Sequence, residues 1–262
     1  PAVRGGDGLL PITDCDWRHP LCDAFIESAR EFGLPSHVDY NRGDQTGAGY
    51  YQRWIHQGRR FSAATAFLKP AKATGRLTVK TNAHATQVLF EGKRAVGVNY
   101  QNERGGKVHT VKARMEVILS AGAANTPKLL QLSGVGPAEF LQQMGVRVVH
   151  ALDQVGENFQ DHYMVRTILR VKGVSTINHT ARGVRLLGEI AKWMIGKPSV
   201  LTISPSVAFG FTKSRPELSL NDLQLHFSPG SYASGIAGKL DDFPGMTLGF
   251  YQLRPTSAGQ VR

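Results

Sequence analysis

The stretch from Glu116 to Gly136, EVILSAGAANTPKLLQLSGVG, constrains the fold more than any other part of the chain. Val117, Ile118 and Leu119 predict a buried strand, and Ser120-Ala121-Gly122-Ala123-Ala124 follow it before Thr126-Pro127 opens a helix. A strand that turns into a helix through small side chains can serve a ligand. Backbone N–H groups approach it closely, and the helix N-terminus favours negative charge such as a pyrophosphate. The same pattern also serves tight strand-to-helix packing without a ligand, and the residues alone leave both readings open.

The rest of the chain is organised around this turn. From Leu77 to Leu119 the runs LTVK, TQVLF, AVGVNY, KVHTV and MEVILS alternate with Gly-containing turns, which predicts an antiparallel meander at about 77–119. Upstream, Pro20 and the spacing of Leu21, Ala24, Phe25, Ala29 and Phe32 predict a helix over 20–32, ended by Gly33. The polar, Gly-rich stretch 35–58 is expected to be irregular, and Ser62 to cap a short helical segment, Ala63–Leu68, that Pro70 limits. Downstream come a helix from Pro137 to Met144, an amphipathic helix over 184–195, and strands at 165–171, 206–212, 223–228 and 246–253. The expected fold class is α+β or α/β, with one boundary near 155–165 that separates 1–160 from 161–262.

A chain of 262 residues with 41% hydrophobic content can bury a sizeable core. Lys and Arg outnumber Asp and Glu by 31 to 20, but the basic residues are scattered singly or in pairs such as Arg59-Arg60. That distribution describes a solvated surface and argues against nucleic acid as a partner. The two cysteines, Cys15 and Cys22, match no zinc spacing, so no metal is expected. No apolar run reaches the roughly 18 residues of a membrane span, and the expected location is the cytoplasm, with peripheral membrane contact as the alternative. The first residue is Pro1, with no leader pattern behind it, which suggests a chain that begins mid-protein or after processing.

GAANTPKLLQLSGVG at 122–136 resembles the second signature of the glucose-methanol-choline (GMC) oxidoreductases. The likeness continues in order through HPLCDAFIESAREFGLP, GRRFSAATAFLKPA at 58–71, RLTVKTNAHATQVLFEGKRAVGV at 76–98, VGENFQDH at 155–162, LQLHFSP at 223–229 and LRPTSAGQVR at 253–262. These look like the choline-dehydrogenase branch.

The resemblance implies an FAD-binding domain, here partly present in 1–160, interleaved with a substrate domain on an antiparallel sheet, partly present in 161–262. It implies oxidation of an alcohol to an aldehyde by hydride transfer to flavin, an uncharged or longer alcohol fitting better than choline, with an electron acceptor that the sequence does not identify. Ala85 falls where the family backbone meets the FAD adenine, Ser120, Ala121 and Gly122 where it passes the ADP moiety, and Asn158 on a segment close to the flavin domain. Asn158 serves equally well to hold a loop together. His226 resembles a histidine facing the substrate cavity; as a residue alternating along a strand it also suits a plain sheet-face role. Met164 stands where choline-using relatives carry an acid, and a thioether cannot supply that charge to a quaternary ammonium. The family's Gly-x-Gly-x-x-Gly loop does not occur in this sequence, and its catalytic histidine lies beyond the last matched segment. An internal fragment of such an enzyme, with no catalytic residue of its own, is therefore expected; a binding or structural segment is the alternative.

Overall fold

The computed structural model of the chain describes residues 5–37, 39–233 and 238–262. Its helices are α1 (Pro20–Glu31), α2 (Lys69–Ala73), α3 (Gly122–Leu132), α4 (Ala138–Gln143), α5 (Ile177–Thr180) and α6 (Gly183–Met194). Its strands are β1 (Gly47–Tyr50), β2 (Ile55–His56), β3 (Arg59–Arg60), β4 (His84–Glu91), β5 (Arg94–Gln101), β6 (Val108–Lys112), β7 (Val135–Gly136), β8 (His150–Ala151), β9 (Met164–Arg170), β10 (Ala208–Thr212), β11 (Leu223–Ser228) and β12 (Gly245–Gln252). Helices and antiparallel sheets together make an α+β fold. They group into two compact units, the chain up to Leu77 with His162–Arg254, and Thr78–Asp161 with Pro255–Arg262. This interleaved division differs from the single boundary expected near residue 160. A seam also falls at Leu77 because β1, from the early part of the chain, hydrogen-bonds along β10, from the late part.

In the first unit five antiparallel strands lie in the order β1-β10-β11-β12-β9. Side chains alternate across a strand, so Ala208 and its partner Phe227 turn to one face while Phe209 and its partner His226 turn to the other. Helix α1 covers the first face. Phe25 stacks on Phe227 with ring centroids 4.9 Å apart, and Cys15, Cys22, Tyr50, Val207 and Ala208 complete the core. Each large apolar side chain buried this way contributes about 1.5–3 kcal/mol.

His19 caps α1. Its Nδ1 accepts the Leu21 N–H at 3.2 Å and its Nε2 lies 2.8 Å from the Ser175 carbonyl, an arrangement that suits a neutral ring protonated on Nε2. The Tyr50 hydroxyl accepts the His19 N–H and donates to Asp23 at 2.7 Å, which ties β1 to the start of α1.

The stretch 35–58, expected to be irregular, instead supplies β1, all four of whose residues are buried. Residues 35–37 run beside it, with His37 N–H donating to the Ala48 carbonyl and Ala48 N–H to the Pro35 carbonyl. The approach is so close that a Cβ on Gly49 would overlap the His37 carbonyl oxygen. Glycines that a strand reading scores against β1 are what allow it to form there. Pro70, expected to stop a helix, lies in the first turn of α2, which continues directly from a π-helical turn at Ala64–Leu68. The wider turn accommodates a residue with no N–H and a ring that crowds the carbonyl four positions back.

In the second unit β4, β5 and β6 form an antiparallel meander, with irregular register between Ala85 and Gln87 and between Leu89 and Phe90. LTVK and MEVILS do not join it. The buried strand expected at 117–119 is also corrected, since Ile118 is 77% exposed and no described strand pairs with that segment. An extended apolar run without a neighbour has no ladder to hold it. Helix α3 begins at Gly122, not at Pro127, because Gly122 adopts φ +88° and swings the chain into the helix at once. Leu129 and Val88 are buried where α3 packs on β4, and Ser133 Oγ accepts the Val88 N–H at 2.8 Å. Gln131 donates to the Val261 carbonyl at 2.8 Å and so holds the final residues of the chain.

Replacing Gly49 by Ala should cost about 1–3 kcal/mol, since it forces a methyl against backbone. An unchanged urea midpoint for Gly49→Ala would show that residues 35–37 simply move aside. Burial holds the His19 pKa below the ordinary histidine value, so the unfolded chain takes up the proton first. The stability that neutral His19 contributes is complete above about pH 6.5 and is lost as pH falls through the lowered folded pKa. His19→Asn, a cap that does not titrate, should flatten that acid limb of the stability profile; an identical limb in the variant would assign it to other groups.

Candidate functional site

Helix α3 and the first half of β4 enclose a cavity of about 330 Å³ in the second unit. Ala85 and Thr86 line it from the strand, and Ala121, Asn125, Lys128 and Leu132 from the helix and its N-terminal turn. The helix residues recur at intervals of four, three and four, which keeps them on one face. β4 is the outer strand of its sheet, so part of its backbone faces away from β5 and is free to meet a ligand. Small side chains at 85 and 121 allow close approach of a flat ring. The N-terminal turn of α3 presents N–H groups without intrahelical partners, and the Lys128 ammonium adds positive charge. The set suits an adenine nucleotide.

Ala85 and Ala121, expected in one site on separate segments, are thus brought together. Gly122 follows Ala121 as the first residue of α3, with no atom within 4 Å of where a Cβ would stand. Ser120 precedes it and is exposed, outside the residues that line the cavity. Asn158 lies apart from that lining. It adopts φ +58° in a loop and donates to Gln154 at 3.2 Å, the loop-holding alternative. Asn125 and Lys128 were missed by the sequence reading, although their spacing from Ala121 was visible once a helix was drawn back to Gly122.

In the first unit, the sheet face opposite α1 floors a second cavity, of about 530 Å³. His226 lies on this floor, as do Met164, Ser228 and Tyr251. Gln224 donates to the Tyr51 hydroxyl at 2.9 Å, and Tyr51 Oη lies 3.2 Å from His226 Nε2. With its oxygen already accepting from Gln224, Tyr51 has its own proton to give to Nε2, which leaves His226 neutral with N–H on Nδ1. Burial lowers the His226 pKa and reinforces that state. The ring is further held against Tyr251, centroids 4.5 Å apart. His226 is therefore a neutral, oriented donor. Among the described residues no Asp or Glu lines this cavity, and no group of His, Cys, Asp and Glu is placed to hold a metal ion. No helix of the described residues is long and apolar enough to cross a membrane.

Comparison with known proteins places this geometry in context. The chain is 41% identical over 246 residues to an oxygen-dependent choline dehydrogenase of Rhizobium rhizogenes, covering 92% of this chain and 44% of the relative. It is 37% identical over 260 residues to an alcohol dehydrogenase [acceptor] of Pseudomonas putida, covering 98% of this chain and 47% of the relative. The chain therefore spans less than half the length of these relatives. Its fold matches an FAD-dependent oxidoreductase from Chaetomium thermophilum with a TM-score of 0.83 at 21% identity, over 99% of this chain and 51% of the other. The family model for GMC oxidoreductases matches residues 2–164, and with the relatives' identity it shows that this chain belongs to the GMC oxidoreductase family.

Proposed function

We propose that this chain is the central portion of a longer FAD-dependent enzyme that oxidises an alcohol to an aldehyde. The observation that carries this is the meeting of Ala85 and Ala121, from separate segments of a GMC sequence, in one cavity at the N-terminus of α3. FAD, the cofactor that goes with the family, supplies the hydride acceptor when bound. Ala85 and Ala121 would take the adenine, and Asn125 and Lys128 the ribose and phosphate beside it. The Gly-x-Gly-x-x-Gly loop is not in this sequence, so the main pyrophosphate cradle comes from outside these 262 residues.

The cavity over β11 takes the alcohol. His226, neutral through burial and its bond to Tyr51, donates to the substrate oxygen and orients it. With its Nε2 lone pair taken by the Tyr51 proton and its pKa lowered by burial, His226 is a poor acceptor for the hydroxyl proton, so that proton goes to a base outside this chain. Met164 offers no charge to a quaternary ammonium, which disfavours choline.

The intact protein should purify yellow, and a primary alcohol added without oxygen should bleach its flavin absorbance. A colourless protein that needs a nicotinamide cofactor would end this account. Within it, Ala121→Leu should fill part of the adenine cavity and weaken FAD binding by about tenfold or more, a loss of at least about 1.4 kcal/mol. Asn158→Gly keeps the backbone angle and should retain full flavin occupancy. Equal flavin content in all three proteins would remove the cavity at α3 from the cofactor site, and loss confined to Asn158→Gly would move the site to the 154–158 loop.

A further inference from the structure

Among the described residues that line it, the alcohol cavity carries a cation and no acid. Arg166 lines it from the outer strand β9, and no described residue pairs with its guanidinium. Strand register places His226 opposite Gly249 and Gly249 opposite Arg166, so the three share one row on the cavity face. Gly249 carries no side chain, and a Cβ there would meet Met164, His226 and Tyr251 only at ordinary contact distances. Between the backbones that carry imidazole and guanidinium, two strand spacings or about 10 Å apart, the floor therefore has no side chain of its own and is bordered by Met164 and Tyr251. Two residues along β11 from His226, and so on the same face, Ser228 lines the cavity too; it is 4% exposed and its buried hydroxyl oxygen has no hydrogen-bond partner. A buried hydroxyl left unsatisfied is uncommon and calls for a partner.

We infer that the alcohol oxidised here carries a carboxylate at its far end, with Arg166 gripping the carboxylate, Ser228 donating to an oxygen of the bound molecule, and His226 holding the hydroxyl end. Arg supplies the planar pair of donors that a carboxylate accepts. The same arrangement repels the trimethylammonium group of a choline-like substrate. This rests on the cavity over β11 being the alcohol site.

The test uses the intact, flavin-loaded protein and three primary alcohols of equal length that end in methyl, carboxylate or trimethylammonium. The carboxylate should give the highest kcat/KM and the ammonium the lowest. Arg166→Gln should reduce the preference for carboxylate over methyl by about tenfold or more, mainly through KM, and Arg166→Glu should turn it toward the ammonium. Wild-type protein that treats the three alike or prefers the ammonium, or a preference unmoved by Arg166→Gln, overturns the inference. Hexanoate, which cannot be oxidised as an alcohol, supplies a separate readout. It should raise the melting temperature of wild-type protein, and less so for Arg166→Gln and for Ser228→Ala, although Ser228→Ala without ligand should be no less stable. If no alcohol is turned over but hexanoate still protects through Arg166, the oxidation reading fails and the carboxylate site stands. If alcohols are turned over and hexanoate gives no protection, the carboxylate site fails alone.

Discussion

Phe227 stacks against Phe25 of α1, and that contact decides which way every other residue of β11 points. With Phe227 and its neighbours in the core, the alternation of the strand sends His226 and Ser228 to the opposite face. A slip of one residue would exchange the two sets and put an imidazole under α1, so the packing of the core and the chemistry of the cavity are fixed together. The antiparallel register carries the same choice to β12 and β9, where it aligns Gly249 and Arg166 with His226. It carries it to β10 as well, where Ala208 faces the core and Phe209 the other side.

The second unit applies a different constraint. Gly122 reverses the sign of φ and starts α3 several residues before its proline, and this brings the helix N-terminus level with the outer strand of the meander. Pro127, inside the helix, leaves the Ala123 carbonyl without its usual partner, a cost set against the burial of Leu129 on Val88. The hydroxyl of Thr126 accepts the Ala121 N–H at 3.1 Å, so the turn before the helix is held by a side chain from within it. One glycine at positive φ, one local side-chain hydrogen bond and one packed leucine are enough to shape the cavity.

What could be read from the sequence was whatever local pattern controls. The alternation in LQLHFS and the amphipathic repeat of 184–195 have their counterparts in β11 and α6, and Pro20 with Gly33 framed α1 within a residue. Elements that depend on distant partners were not legible. β1 has two glycines in four residues and exists because 35–37 and β10 lie on either side of it. MEVILS has the composition of a strand and no described strand to pair with. Of the site residues, Ala85 and Ala121 came from a family likeness and the structure adds the cavity that unites them. His226 could be suspected from its strand, but the row it shares with Gly249 and Arg166 depends on register between strands far apart in sequence, which a single chain read locally does not reveal. The unsatisfied hydroxyl of Ser228 is likewise a property of packing.

The central claim is that a GMC oxidoreductase builds its adenine site from β4 and the N-terminus of α3 in this chain. An experimental structure of the intact protein with FAD bound measures this directly. The account predicts the adenine ring in van der Waals contact with Ala85 and Ala121, with Lys128 on the phosphate side. Adenine bound elsewhere, with that cavity filled only by water, would contradict it.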